Sequence, residues 1–278
     1  MIDQLFQPTS LIAIALIGSL AGILGGLLGV GGSVIIIPSL YFVLGSEQQL
    51  FQAAAMIVNV FIAIPAAYKH YKKHGMVPRY IAWMLPASIT FIVIGVSISN
   101  LFTGQAGNIL LGRILAAFLA YVLAINIKRL LTPRKIPHPD DPETPDPTKH
   151  ILKTRAISVG SLHGFTAGLM GIGGGAVTVP MQQIMLKLPL KNCIANSSAL
   201  IIISSIVGAA YKNLSLPSLG YKIQDSITIA AVLIPTAFIA SRMGAQLTHI
   251  LPTKVIRILF MILITIAAIK LANLPSPF

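Results

Sequence analysis

Residues 18–38 read GSLAGILGGLLGVGGSVIIIP, and residues 160–180 read GSLHGFTAGLMGIGGGAVTVP. The second stretch repeats the first with identity at Gly18/Gly160, Ser19/Ser161, Leu20/Leu162, Gly22/Gly164, Gly26/Gly168, Leu27/Leu169, Gly29/Gly171, Gly31/Gly173, Gly32/Gly174 and Pro38/Pro180. Each copy is an apolar helix-like run, then a glycine cluster, then a second apolar run that carries a proline. The chain therefore reads as two homologous halves, each built around a helix that its own sequence interrupts.

Composition says where such helices live. Hydrophobic residues make up 55% of the chain, charged residues only 10%, and the mean hydropathy is +0.84. A soluble domain of this size needs roughly a quarter of its residues charged. Long runs almost free of charge recur at 8–46, 48–68, 80–112, 114–127, 156–186, 192–211, 226–241 and 258–269. Many of them reach the ~20 residues that a helix needs to cross ~30 Å of hydrocarbon. The expected fold is all-α and polytopic in the lipid bilayer, each half combining a glycine-broken helix or re-entrant hairpin with three spans. Residues 1–10 carry no Lys or Arg, so the first apolar run lacks the basic flank of a cleavable signal and is expected to be retained.

The net charge of +13 fits membrane topology better than nucleic-acid binding. The Lys and Arg residues sit in short loops without interleaved aromatics, and such residues are retained on the cytoplasmic side. The single cysteine, Cys193, excludes an intrachain disulfide and a multi-cysteine metal site. No span carries a paired carboxylate, a HExxH or a GxSxG motif, so the sequence does not read as an enzyme, and it implies neither metal nor cofactor.

Residues 132–150 hold six prolines and four of the seven acidic residues, the composition of an extended, solvated linker. They divide a first repeat, 1–131, from a second, 151–278. Basic flanks place this linker and the loop Lys69–Arg79 in the cytoplasm, with two spans near 80–101 and 107–127 between them. If 156–186 crosses once, Lys187, Lys191, Arg242, Lys254 and Arg257 face outward, while Lys212, Lys222 and Lys270 face the cytoplasm. If it forms a hairpin instead, those assignments exchange, which the excess of cytoplasmic Lys and Arg favours. The same choice for 10–45 leaves the N-terminus outside and makes the halves an inverted repeat, with a parallel repeat as the alternative. Ala66-Ala67-Tyr68-Lys69 against Ala209-Ala210-Tyr211-Lys212, and Arg113 against Arg257, extend the duplication.

Two sets of glycines have different meanings. Gly18, Gly22 and Gly26, like Gly160, Gly164 and Gly168, recur every four residues and predict close helix–helix packing in lipid. Gly29, Gly31 and Gly32, followed by Ser33, and Gly171, Gly173, Gly174 and Gly175 are too dense for a continuous helix. Paired interruptions in corresponding halves of a membrane protein point to a substrate site. Half-helices starting near Ser33 and Gly175 would aim backbone N–H groups and a positive dipole end into the breaks, which suits an anion. All seven acidic residues fall in termini, loops or helix ends, so the usual intramembrane cation ligand is missing. Candidate side chains for the same site are Asn59, Asn196, Ser197, Ser198 and Gln182, with His163 as a protonatable partner or a packing residue.

The pattern GxxGxGGGxxxxP, from Gly168 to Pro180 and from Gly26 to Pro38 with Ser33 for the third glycine, resembles the sulfite exporter TauE/SafE family. The resemblance covers both halves. It implies a multi-pass permease of a bacterial-type inner membrane that moves sulfite or a small organosulfur anion outward. The alternative is an importer or proton-coupled symporter of another small sulfonate or carboxylate. Residues 53–59 (AAAMIVN) depart from the Thr/Ser-rich character associated with the family at this position.

Overall fold

A computed structural model describes residues 8–131 except 46, residues 153–252, and some positions between 254 and 269. The Pro-rich stretch 132–150 and Arg257 lie outside the described residues. The helices are α1 Pro8–Leu28, α2 Ser33–Leu44, α3 Gln48–Lys72, α4 Pro78–Ser99, α5 Gly104–Leu131, α6 Lys153–Met170, α7 Gly175–Met181, α8 Leu190–Ser215 and α9 Ile223–Ile250. A π-helical turn, Gln182–Leu186, extends α7, and a 3₁₀ turn, Pro217–Leu219, follows α8. Pro78 starts α4, where its fixed φ suits a first turn and its missing N–H costs nothing.

Among the described residues, five helices are long and apolar enough to cross a membrane: α1 from Ser10, α3, α4, α8 and α9. α3, with 25 residues, reaches about 37 Å at 1.5 Å per residue. α2, with 12 residues, reaches only about 18 Å and cannot span a bilayer alone. The chain is a multi-pass membrane protein. Ile12, Leu16 and Leu20 form an exposed stripe along α1, the pattern of a face turned to lipid.

The four-residue glycine stripes set the helix pairs. Gly22 and Gly26 of α1 lie against the carbonyl oxygens of Ala237 and Ser241 on α9. Gly160 and Gly164 of α6 lie in the same way against those of Met84 and Ser88 on α4. A Cβ at any of these four positions would run into backbone. Small residues are what permit such approach between helices in lipid. Each striped helix packs on a helix of the other half, so the two halves interlock.

The polar contacts at the helix termini fix the direction of each element. At one end His70 Nδ1 meets His249 Nε2 at 3.0 Å, Asn192 Nδ2 donates to the Gly75 carbonyl at 2.9 Å, and Arg155 donates to Met185 O at 3.2 Å. At the other end Tyr221 OH donates to Glu47 at 2.6 Å, and Tyr41 OH to Asn108 O at 3.3 Å. The hairpin of α1 and α2 thus begins and finishes at the Tyr221 end. The hairpin of α6, α7 and the π-turn begins and finishes at the His70 end. They enter the bundle from opposite ends, and their tips meet inside it.

Candidate functional site

α1 stops at Leu28 and α2 starts at Ser33, while α6 stops at Met170 and α7 starts at Gly175. The interruptions therefore fall on the glycine clusters. Gly31 has φ 83° and Gly173 has φ 72°, in the left-handed region that a side chain with a Cβ rarely adopts. Both glycines face the same residue. A Cβ on Gly31 would lie 2.9 Å from Asn59 Oδ1, and one on Gly173 would lie 2.7 Å from Asn59 Nδ2. Asn59 is fully buried and stands near the middle of α3.

Asn59 closes the first break chemically. Its Oδ1 accepts from the backbone N–H of Gly32 at 2.8 Å and of Ser33 at 3.2 Å, and its Nδ2 donates to Ser33 Oγ at 2.5 Å. A helix start leaves N–H groups without intrahelical partners, and in hydrocarbon each needs another acceptor. The amide oxygen of α3 supplies it for α2.

The second break is held by other means. Gln52 Nε2, from α3, donates to the Leu169 carbonyl at 3.3 Å, and the Gln52 side chain packs against Gly171. His163, fully buried in α6, bridges two hydroxyls: Nδ1 meets Thr178 Oγ1 at 2.6 Å and Nε2 meets Ser204 Oγ at 2.9 Å. Thr178 Oγ1 also donates to the Gly174 carbonyl at 2.8 Å. With that hydroxyl proton committed, Nδ1–H donates to Thr178. His163 joins α6, α7 and α8. Gly174 packs against the same ring, a Cβ there coming within 2.6 Å of His163 Nδ1.

The two breaks also touch each other. Gly175 lies against the backbone of Gly29 and Val30, leaving no room for a Cβ. Ser197 Oγ, from α8, donates to the Gly29 carbonyl at 2.6 Å. Gly29, Gly31, Gly32, Ser33, Gly171, Gly173, Gly174, Gly175, Asn59, Ser197 and His163 are thus gathered in one buried region. Three other sequence candidates have different partners. Asn196 accepts from the Val77 N–H at 2.8 Å and donates to Gln182 Oε1 at 3.0 Å. Gln182 Nε2 donates to the Cys193 carbonyl at 3.2 Å. Ser198 returns its hydroxyl to Ile194 O on its own helix at 3.0 Å.

Sequence reading missed Gln52, Thr178 and the polar group around Lys212. A signal for the first was present. Gln48, Gln52 and Asn59 fall at i, i+4 and i+11, one stripe of an otherwise apolar helix. At the Tyr221 end, burial and the hydrogen bond to Glu47 push the Tyr221 phenol up to about 12, so it remains a donor. Among the described residues, the only carboxylates are Glu47 and Asp225, both at this end.

Interrupted half-helices buried inside an apolar multi-pass bundle are a feature of membrane transporters. Comparison with known proteins gives the particular family. The profile of the sulfite exporter TauE/SafE family matches residues 14–271, and the chain belongs to that family. It is 27% identical to the "Probable membrane transporter protein YunE" of Bacillus subtilis, over 94% of this chain and 97% of that protein. It is 28% identical to a "Probable membrane transporter protein" of Haemophilus influenzae, over 95% and 98% of the two chains. Against the "Probable membrane transporter protein MamO" of Magnetospirillum gryphiswaldense it is 24% identical, and there the chain spans 45% of the relative's length. No solved structure matches the chain.

Proposed function

We propose that the chain is a permease for a small anion, exporting sulfite or a small organosulfur anion across a bacterial inner membrane through the region where its glycine breaks meet. The observation that carries this reading is the position of Asn59, in contact with both breaks and capping α2 with a neutral oxygen. An oxyanion is a stronger acceptor than an amide carbonyl, since charged acceptors form hydrogen bonds roughly twice as strong. It would take over the N–H groups of Gly32 and Ser33 and turn Asn59 Nδ2 and Ser197 Oγ toward itself. The positive end of α2 favours the negative charge. Gln182 and Asn196 lie on the His70 side of the breaks and would line the approach from that end.

Orientation follows from charge. Lys69, Lys72, Lys73, Arg79, Lys153, Arg155, Lys187 and Lys191 all sit at the His70 end, which supports a cytoplasmic position for that end. The N-terminal hairpin then opens outward and the second hairpin inward, as an inverted repeat requires. An interior-negative potential would contribute ~2.3 kcal/mol per charge per 100 mV to anion exit.

Counterflow in proteoliposomes with sulfite, thiosulfate, sulfoacetate and acetate tests the reading. Exchange of the sulfur oxyanions above that of acetate is expected. Preference for acetate, or no anion exchange at all, overturns it. Accessibility of single cysteines introduced at Gly45 and Lys187 tests the orientation, with Gly45 labelled from outside and Lys187 from the cytoplasm.

A further inference from the structure

Lys212 is fully buried in the last turn of α8. Its ammonium group donates to three neutral oxygens: Gln49 Oε1, Ser99 Oγ at 3.1 Å and Asn100 Oδ1 at 2.8 Å. No described carboxylate pairs with it. Glu47 stands two residues from Gln49, yet its Oε2 accepts from Tyr221 OH at 2.6 Å instead. The corresponding lysine of the first half, Lys69, is only half-buried and lies at the opposite end of the bundle beside Lys72 and His70. One repeat position thus holds a lysine that meets solvent at one end and a lysine sealed from it at the other. A buried ion without a counter-charge is unfavourable, and an ionisable side chain within a membrane segment marks a functional path unless it is paired.

A second anomaly lies in the same turn of α3. Gln48 is fully buried, and neither Nε2 nor Oε1 has a hydrogen-bond partner. Buried polar groups are normally satisfied, so an amide with both atoms bare calls for a missing partner. Gln48 lies one turn before Gln52 on the same face of α3, and Gln52 reaches the second glycine break. The orphan amide therefore stands between that break and the Tyr221 end.

We propose that Gln48 and Lys212 form a second anion subsite, at the Tyr221 end of the bundle, which holds the small oxyanion on its way between the glycine breaks and the outside. Lys212 donates to Ser99 Oγ, Ser99 donates to Gln52 Oε1, and Gln48 lies one turn before Gln52, so one anion beside this chain of contacts would meet both anomalies. It supplies the counter-charge that Lys212 lacks and an acceptor for Gln48 Nε2. An anion that still carries a proton, such as hydrogensulfite, also offers a donor to Gln48 Oε1. The inference rests on the anion reading above, but it assigns residues outside the glycine breaks.

Flux of labelled sulfite and thiosulfate through full-length protein, reconstituted in one known orientation, tests it. Lys212→Gln is expected to raise the half-saturating concentration on the Tyr221 face about tenfold, the loss of a charged hydrogen-bond donor. On the His70 face the value should stay within about twofold of wild type. Gln48→Leu should raise the Tyr221-face value about threefold, the loss of one neutral hydrogen bond. A purely structural lysine would move thermal stability without this difference between faces. Unchanged values in Lys212→Gln, or an equal rise on both faces, overturn the subsite. If Lys212→Gln does not reconstitute, Gln48→Leu decides, and an unchanged Tyr221-face value overturns it. Wild-type protein that moves neither anion sinks the glycine-site reading and this one with it. Flux that Asn59→Ala abolishes and Lys212→Gln leaves untouched sinks the subsite alone.

Discussion

The two glycine breaks are written almost identically and are held together differently. In the first, an amide from a neighbouring helix caps the new half-helix, Asn59 Oδ1 taking the N–H groups of Gly32 and Ser33. In the second, a histidine bridges hydroxyls on two other helices, His163 joining Thr178 to Ser204. The one motif position where the clusters differ, Ser33 against Gly175, follows from this. Ser33 uses its hydroxyl to accept from Asn59 Nδ2. Gly175 is pressed against the backbone of Gly29 and Val30, where any side chain would collide. A duplicated motif preserves the backbone geometry of a break, while its neighbours decide how the freed polar groups are satisfied.

The strongest way to break this comparison is to strain both copies. Gly31→Val and Gly173→Val each place a β-branched residue at positive φ and drive its Cβ into Asn59. Each should destabilise by about 3 to 5 kcal/mol and abolish anion flux. Wild-type flux at equal expression in either variant would mean that the breaks serve packing alone.

Writing the first copy's residue into the second sharpens it. Gly175→Ser should cost about 3 kcal/mol, read as a lower thermal midpoint in detergent, because the backbone of the other break cannot withdraw. The reverse change, Ser33→Gly, should cost only about 1 kcal/mol, one buried hydrogen bond. Equal effects from the two swaps would show that the breaks are interchangeable after all.

Removing each break's own partner gives intermediate effects. Asn59→Ala should lose about 2 kcal/mol and most of the flux, since two buried N–H groups lose their acceptor. For His163→Ala the expected loss is about 1 to 2 kcal/mol, with slower flux. An imposed interior-negative potential should still accelerate efflux in that variant. If a pH gradient alone drives uphill movement and His163→Ala removes that drive, the ring is a proton carrier rather than a brace. The substrate's charge at the assay pH must be fixed for this comparison.

Much of this was legible along the chain. The starts of α2 at Ser33 and of α7 at Gly175 follow from glycine density alone, because two or three glycines in succession remove the local preference for helix. The role of Gly22, Gly26, Gly160 and Gly164 as contact surfaces follows from their spacing, although not which helices they touch. Asn196 and Ser198 looked like equals of Ser197, since one short polar run carries all three. They point around α8 by about 100° per residue, so only Ser197 reaches a break and the others serve a loop and their own helix. Lys212 reads as one more charge at a helix end until the burial of its ammonium group is known.

The amino-acid sequence by itself determined the membrane class, the duplication, the place of each helix interruption and the glycine stripes. These depend on composition and on periodicity within one segment, and no distant residue can alter them. Only the tertiary structure decided that the halves interlock, that Asn59 serves both breaks, that His163 braces the second, and that Lys212 is sealed in without a described counter-charge and Gln48 without a hydrogen-bond partner. Those facts depend on which helices meet and at what rotation. Contacts between residues more than a hundred positions apart are set by the packing of the whole bundle, and no local pattern encodes them.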